Sequence, residues 1–356
     1  MADVTVLMPV YNAMPYLPEA VESVLAQTYG NLTLLVVDDG SQDGSLAYLQ
    51  SLDDPRIEIV ARPHAGLGAT LNLGLSLCRT EYLARMDADD LIPRRRLEIQ
   101  RDYLGAHPEV GAVGTQFRYF RDPERLDTRF SRTLPPDHHS IVGDLLSRRL
   151  GMLHASLLVR IEGLRRIGGY RTVGMGDNDW DLLLRLAEVT HLANIDEVLY
   201  LWRVHPGSVC ARHTAQTQVL VAYACDSACR RAGSQPELSF EEFLVERRRR
   251  PFWRRWCDGL DYYGAAHYKA AVIEVLGGQR LRGTLRLALA AACSPGRTLD
   301  RIGRLVRPLR PRPSRPRHLP AVSACPPPPP APGGPSTIRP TATELARAGD
   351  HRAEGI

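Results

Sequence analysis

The chain has 356 residues, 44% of them hydrophobic and 24% charged, with a formal net charge of +5. That is enough for one large soluble domain and a smaller one, and so modest a positive excess gives no reason to expect nucleic acid as a partner. Seven scattered cysteines with no C-x-x-C argue against a zinc site or a disulfide framework and fit a reducing compartment.

The stretch "VTVLMPV" (Val4–Val10) is short, apolar and β-branched, and reads as a buried strand. Leu17, Val21, Val24 and Leu25 follow at helical spacing. "LTLLVVDDG" (residues 32–40) is a second buried strand ending in two acids and a turn, and "SLAYLQSL" a helix. "RIEIVAR" (residues 56–62) is a third strand, Leu67, Leu71, Leu75 and Cys78 mark a third helix, and "EYLARMDADD" runs a fourth strand into a knot of carboxylates. This alternation predicts right-handed crossovers and a parallel sheet with helices on both faces. Between residues 94 and 210 the pattern is mixed: "VGAVGTQF" and "ASLLVR" look like strands. "DWDLLLRLAE" looks like a helix with Leu182, Leu183 and Leu186 on one face. From about residue 215 the chain turns helical and Arg-rich, most densely over residues 247–256. From about 311 it becomes Pro-rich and loses apolar periodicity, the mark of a disordered tail.

Ligands of parallel sheets bind outside the carboxyl ends of the strands. Two acidic clusters fall on that edge, Asp38-Asp39 and Asp87-Ala88-Asp89-Asp90. A D-x-D after a strand suits Mg²⁺ or Mn²⁺, which takes one or two carboxylates and completes its shell with phosphate oxygens and water; a solvated turn explains the same residues. Asp39 at a strand end can accept a hydrogen bond from a base or ribose, while an Asx-turn or helix cap is the other reading of "DDGS". In "GMGDNDWDLLLRL", acids in a first helical turn satisfy the helix dipole whether or not they do chemistry.

Four stretches, "MPVYNAMPYL", "VVDDGSQDGS", "LNLGLSLCRTEYLARMDADD" and "GDNDWDLLLRL", resemble in order and spacing the family 2 glycosyltransferases with a GT-A fold. The similarity covers about residues 4 to 210, and "YLARMDADDLIPRRRLEIQ" is similar to the branch that builds bacterial surface polysaccharides. The resemblance implies a Rossmann-like, mostly parallel sheet with flanking helices, followed by a C-terminal helical region. It implies a catalytic domain over 1–212, divided into a nucleotide-sugar half (about 1–93) and an acceptor half (about 94–212). A helical region over 213–310 and a tail over 311–356 complete the expected division. Pro9, Tyr11 and Asp39 match positions that hold the nucleotide base. Asp87 and Asp89 match the D-x-D that holds the ribose and the metal on the diphosphate. Asp179 matches the catalytic base. Asn178 stands where the family has Glu, which puts acceptor binding or the tuning of the base in doubt. His154 matches a histidine on the acceptor side, and His205 lies in an R-x-H-x-x-S pattern where a neutral imidazole can join the metal shell. Arg203 of that pattern is expected to meet diphosphate charge.

The activity implied is inverting transfer from a nucleoside diphosphate sugar to a hydroxyl of a glycan or lipid-linked acceptor, with Mn²⁺ or Mg²⁺ as cofactor. Two other classes stay open. One is a non-catalytic sugar-nucleotide-binding relative, suggested by Asn178. The other is a nucleotidyltransferase, which would open with a glycine- and basic-rich loop that "VLMPVYNAMPYL" lacks. "MADVTVLMPVYN" has no basic n-region before an apolar core, so no signal peptide is expected, and no apolar run approaches a membrane span. A cytoplasmic protein is expected. Phe252, Trp253 and Trp256 among arginines read either as anchors for an anionic membrane at its inner face or as part of a helical subdomain with solvated arginines.

Overall fold

The computed structural model describes residues 2–120, 131–173, 176–177, 179–205, 214–276 and 278–296. In chain order the strands are β1 (Val4–Val10), β2 (Leu32–Asp38), β3 (Ile57–Ala61), β4 (Tyr82–Arg85), β5 (Val110–Phe120), β6 (Ser131–Arg132), β7 (Leu158–Arg160), β8 (Thr172–Val173), β9 (Gly176–Asp177) and β10 (His191–Arg203). The helices are α1 (Leu17–Leu25), α2 (Ser45–Gln50), α3 (Leu67–Leu77), α4 (Arg96–Ala106), α5 (His138–Leu146), α6 (Ile161–Arg166), α7 (Asp179–Ala187), α8 (Thr214–Ala232), α9 (Phe240–Arg249), α10 (Phe252–Leu276) and α11 (Arg280–Cys293).

The main sheet runs β10-β5-β7-β4-β1-β2-β3, with β6 on β5, while β8 and β9 form a separate hairpin. β1 pairs in parallel with β2 and β4, β2 with β3, and β5 with β10. Only three residues long, β7 is inserted antiparallel between β4 and β5. The alternation of strand side chains divides the core between the two faces. Val4, Val6, Met8 and Val10 pack with Leu17, Val21 and Val24 of α1 and Leu97 and Leu104 of α4. Leu7, Leu35 and Val37 point the other way, onto Leu71 and Leu75 of α3 and Leu182, Leu183 and Leu186 of α7. Gly74 lets α3 lie against β1, since a Cβ there would fall 2.2 Å from Leu7 Cδ1. Proline is tolerated in this central strand because β4 stops pairing at Leu7 opposite Arg85, two residues before Pro9, so no ladder hydrogen bond is lost.

Among the described residues the C-terminal helices continue this core. Val221, Ala224, Cys225 and Ala228 of α8 belong to the same apolar cluster as α7. The opposite side of α8 offers Ala222 and Tyr223 to Phe243 of α9 and Tyr262 of α10. A capping box starts α9: Glu242 N donates to Ser239 Oγ (3.2 Å) and Ser239 N to Glu242 Oε2 (2.7 Å). α10 and α11 form a hairpin in which Gly264 sits against Ala290 and Cys293.

Candidate active site

The loops leaving β1 and β2 are latched to one another at the carboxyl edge. Asn12 takes a left-handed φ of 50°, its N–H donates to Ser41 Oγ (3.0 Å) and its Oδ1 accepts from Gln42 N (2.8 Å). Ala13 N donates to Ser45 Oγ (3.0 Å) and Met14 N to Asp43 Oδ2 (2.8 Å). Burial acts to raise the Asp43 pKa, but hydrogen bonds from Ser45 and Met14 outweigh it and hold the carboxylate below its ordinary value.

The two acids of "DDGS" have different tasks. Asp38 is buried and accepts from Gly40 N (3.2 Å) and Ser41 N (3.1 Å), an Asx-turn. Gly40 has φ +80°, and a Cβ would meet the His64 backbone nitrogen at 2.9 Å. Asp39 reaches across to the start of α3 and accepts from Ala65 N (3.0 Å) and Gly66 N (2.8 Å), with His64 Nδ1 at 2.8 Å and Arg62 Nε at 3.5 Å. The Tyr11 ring, half exposed, stacks on His64 at 4.2 Å between centroids and 25° between planes. Asp39 thus shapes the loop that carries His64, and Tyr11 and His64 form the aromatic surface at the crevice.

The carboxylates after β4 diverge in the same way. Asp87 accepts from Arg85 Nη2 (2.6 Å), and Asp89 Oδ2 lies 2.9 Å from His205 Nε2. About a third of each carboxylate side chain remains open to the crevice. Burial in the crevice pushes the Asp87 carboxyl up; Arg85 pulls it down and the charge of Asp89 pushes it up again, leaving it raised overall. Asp90 turns inward. It accepts from Tyr200 Oη (2.6 Å) and from Arg203 N (2.7 Å), tying the D-x-D turn to β10. Burial, then the charges of Asp89 and Asp87, hold its carboxyl well above the usual range.

Arg203, expected to face the diphosphate, is buried. Its Nε donates to the Asp89 carbonyl (2.7 Å) and its Nη2 to Glu19 Oε2 (2.5 Å). The guanidinium lies between the rings of Tyr16 (4.8 Å) and Phe120 (4.5 Å). Its charge is therefore spent on holding the turn and on Glu19.

Behind the turn lie two fully buried arginines. Arg96 Nη2 donates to the carbonyls of Arg85 (2.9 Å), Leu157 (3.2 Å) and Ala155 (3.3 Å), joining the end of β4 to the entry of β7; burial lowers its pKa to about 10. His154 is interior: its Nε2 lies 2.8 Å from Tyr170 Oη, and burial, with the Arg85 charge second, drops its pKa well below 6.5. Tyr170 is anchored on α3, its N–H donating to Asn72 Oδ1 and its carbonyl accepting from Asn72 Nδ2, both at 2.8 Å.

Asp179 opens α7 and is half-buried; Asn178 lies outside the described residues. Asp181, also in the first turn, is buried and accepts from Arg185 Nε (2.7 Å), with Arg171 Nη1 at 3.6 Å. Trp180 Nε1 donates to the Leu145 carbonyl (3.0 Å) and seats the helix on α5.

The structure therefore brings Pro9, Tyr11, Asp39, Asp87, Asp89 and His205 to one edge of the sheet and places His154 in the interior behind it. Sequence reading missed Glu19, His64, Arg85, Arg96 and Tyr200. Of these, Arg85 carried a signal: a lone charge at the last position of an apolar strand, two residues before the first of the acids.

The model of the family described as "Glycosyl transferase family 2" matches residues 5–156. The putative glycosyltransferase EpsE of Bacillus subtilis is 32% identical over 233 residues, 62% of this chain and 81% of that protein. The O-antigen biosynthesis glycosyltransferase WbnJ of Escherichia coli is 27% identical over 251 residues, 68% and 90% of the two chains. Several other relatives are longer, and the matched stretch spans 24% to 38% of them. Among solved structures, S. aureus TarS residues 1–349 in complex with UDP-GlcNAc superposes with a TM-score of 0.51 at 15% identity, covering 86% of this chain and 93% of that one. That likeness concerns the fold, which is GT-A. By its match to the family model and its similarity to EpsE over most of that protein's length, the chain belongs to the family 2 glycosyltransferases.

Proposed function

We propose that this glycosyltransferase moves a sugar, with inversion and with a divalent metal, from a nucleoside diphosphate sugar to a hydroxyl of a glycan or lipid-linked acceptor in cell-surface polysaccharide or glycolipid synthesis. The observation that carries the reading is the pair of partly open acids, Asp87 and Asp89, beside the latched β1 and β2 loops. WbnJ, named for O-antigen biosynthesis, supports the polysaccharide context.

The residues present fit a hard divalent cation. Asp89 Oδ2 and His205 Nε2 stand 2.9 Å apart, the separation of adjacent donors on an octahedral ion with bonds of about 2.0–2.1 Å. No group of three or more ligand-type side chains converges among the described residues, so the protein offers a partial shell, the kind that diphosphate oxygens and water complete. Asp89 and His205 would hold Mn²⁺ or Mg²⁺, which when bound stabilises charge on the departing diphosphate. Asp87, held by Arg85, is left to meet the ribose. Pro9 and Tyr11 border the base, and Asp39 fixes the loop bearing His64 beneath it.

Asp179 is the proposed base, taking the proton from the acceptor hydroxyl as it attacks. The C-terminal end of α7 precedes β10 by only a few residues, at the amino edge of the sheet. Asp179, at the other end, is thereby carried toward the crevice. Asn178 and His154 are assigned to the acceptor side, His154 acting through Tyr170. The catalytic domain spans 1–212, the helical region 213–310 and the tail 311–356. The protein works at the cytoplasmic side of a membrane.

Two variants test this. Asp89→Ala should abolish Mn²⁺-dependent binding of a nucleoside diphosphate by calorimetry while the melting temperature holds. Asp179→Asn should keep donor affinity and lower transfer by roughly 10²–10⁴-fold, the usual contribution of a positioned base. Unchanged Mn²⁺-dependent affinity in the first, or near-normal transfer in the second, would overturn the corresponding assignment. Binding without transfer or hydrolysis in the wild type, across a panel of donors that includes UDP-GlcNAc, would favour a non-catalytic relative.

A further inference from the structure

The hairpin of α10 and α11 leaves large apolar side chains uncovered. Phe252 is 82% exposed and Trp256, one turn on, 70%; Trp253 stands beside them at 52%. On α11, Leu281 is 77% exposed, and Leu285 and Leu289 continue the stripe at four-residue spacing, so they share one helix face. Single exposed leucines are ordinary, but six large apolar residues on one hairpin are not the surface of a domain that faces only water.

The same hairpin is basic, with six Lys and Arg against three acids between residues 252 and 293. Arg254, Arg255, Arg280 and Arg282 flank the apolar positions and have no acidic partner among the described residues; Arg254 lies over the Trp253 ring at 5.1 Å. Aromatic rings beside unpaired arginines are the chemistry of a lipid headgroup interface, where the ring sits at the acyl boundary and guanidinium meets phosphate. A second copy of the chain is a poorer occupant, because a self-complementary contact sets one arginine-rich face against another. No helix among the described residues is long and apolar enough to cross a membrane.

We propose that the α10–α11 hairpin is a peripheral docking surface for an anionic lipid bilayer, with Phe252, Trp253 and Trp256 inserted at the headgroup level and the α11 leucines lying along it. This deepens the reading above by naming a partner. It rests on that reading for its purpose, which is to bring the crevice to a lipid-linked acceptor, but the binding itself can be measured without transfer.

The test uses the full chain with vesicles of phosphatidylcholine alone or with a fraction of phosphatidylglycerol. Wild type should sediment with the anionic vesicles only, release as salt rises, and show a blue shift of tryptophan emission. Arg254→Gln with Arg255→Gln should weaken binding by roughly 30-fold, about fivefold per arginine. Phe252→Ser with Trp256→Ser should abolish the blue shift; both positions are exposed, so an unchanged melting temperature will show the fold intact. Transfer to a water-soluble acceptor should be unaffected in both variants, so losing it alone would bear on the activity and not on the surface. Equal binding to neutral and anionic vesicles, no binding to either, or a dimer dispersed by the serine variant would overturn the proposal.

Discussion

His154 shows how a single side chain can be held in one protonation state by its surroundings. It is buried beside Tyr170, and burial, with the Arg85 guanidinium, keeps its folded pKa well below 6.5. A histidine depressed in this way gives stability that is fully present above its unfolded pKa and is lost as pH falls, because the unfolded chain then binds a proton that the folded one refuses. Below pH 6.5 one such group contributes a slope of at most about 1.4 kcal/mol per pH unit. Denaturant unfolding at pH 7.5 and 5.0 should therefore show a smaller loss of stability in His154→Gln, which can still hydrogen-bond Tyr170, than in wild type. Equal losses would mean that His154 titrates freely. The sequence placed a histidine here but could not tell an interior group from one lining the acceptor side. That distinction depends on Tyr170, sixteen residues away, and on Arg85 from another strand. Arg203 was misjudged for the same reason: its inward turn is set by Glu19, 184 residues earlier in the chain.

At the scale of elements, the crevice is made by loops that fix one another. Asp43 accepts from Met14 N, Ser45 N (3.0 Å) and Ser45 Oγ (2.6 Å), so one carboxylate ties the β1 loop to the β2 loop. Asp43→Ala should loosen the loop bearing Tyr11. The loss of hydrogen bonds to a charged acceptor is worth about 1–2 kcal/mol, so donor affinity by calorimetry should fall roughly 5- to 30-fold. Unchanged affinity would show that the latch is not needed to form the pocket. This half was the legible one: β1 to β4 are short, β-branched and evenly spaced, and each matches its sequence-predicted strand within a residue or two. β10 escaped notice. Its pairing with β5 slips by two residues between Ile195 and Val198 and by one before Tyr200, and the one-residue slip reverses which side chains face the core. "HLANIDEVLYLWR" therefore lacks a clean alternation. β7 is too short to announce its antiparallel direction.

Across the whole molecule, one apolar cluster spans the division expected near residue 212. Val221, Ala224, Cys225 and Ala228 of α8 pack in one cluster with Leu182, Leu183 and Leu186 of α7, the helix that Asp179 opens. Polar ties reinforce it: Arg171, just before β8, meets Glu237 at 2.6 Å, and Arg231 on α8 meets Glu188 at 2.8 Å. These half-exposed ion pairs are each worth less than about 1 kcal/mol, so the apolar contact dominates. Each buried apolar side chain contributes about 1–3 kcal/mol, and a domain's whole margin is about 5–15 kcal/mol. Two truncations should then behave oppositely. A chain ending at residue 310 keeps α8 to α11 and should retain its melting temperature and transfer to a soluble acceptor. A chain ending at residue 212 exposes the inner face of α7 and should lose near-ultraviolet circular dichroism and bind a hydrophobic dye, with transfer lost as well. If the shorter chain instead unfolds cooperatively near the wild-type temperature, α8 is dispensable and the catalytic domain closes at 212. If it folds but does not transfer, α8 acts on the placement of Asp179 and not on stability. Measuring melting, dichroism and transfer on the same preparations separates these outcomes.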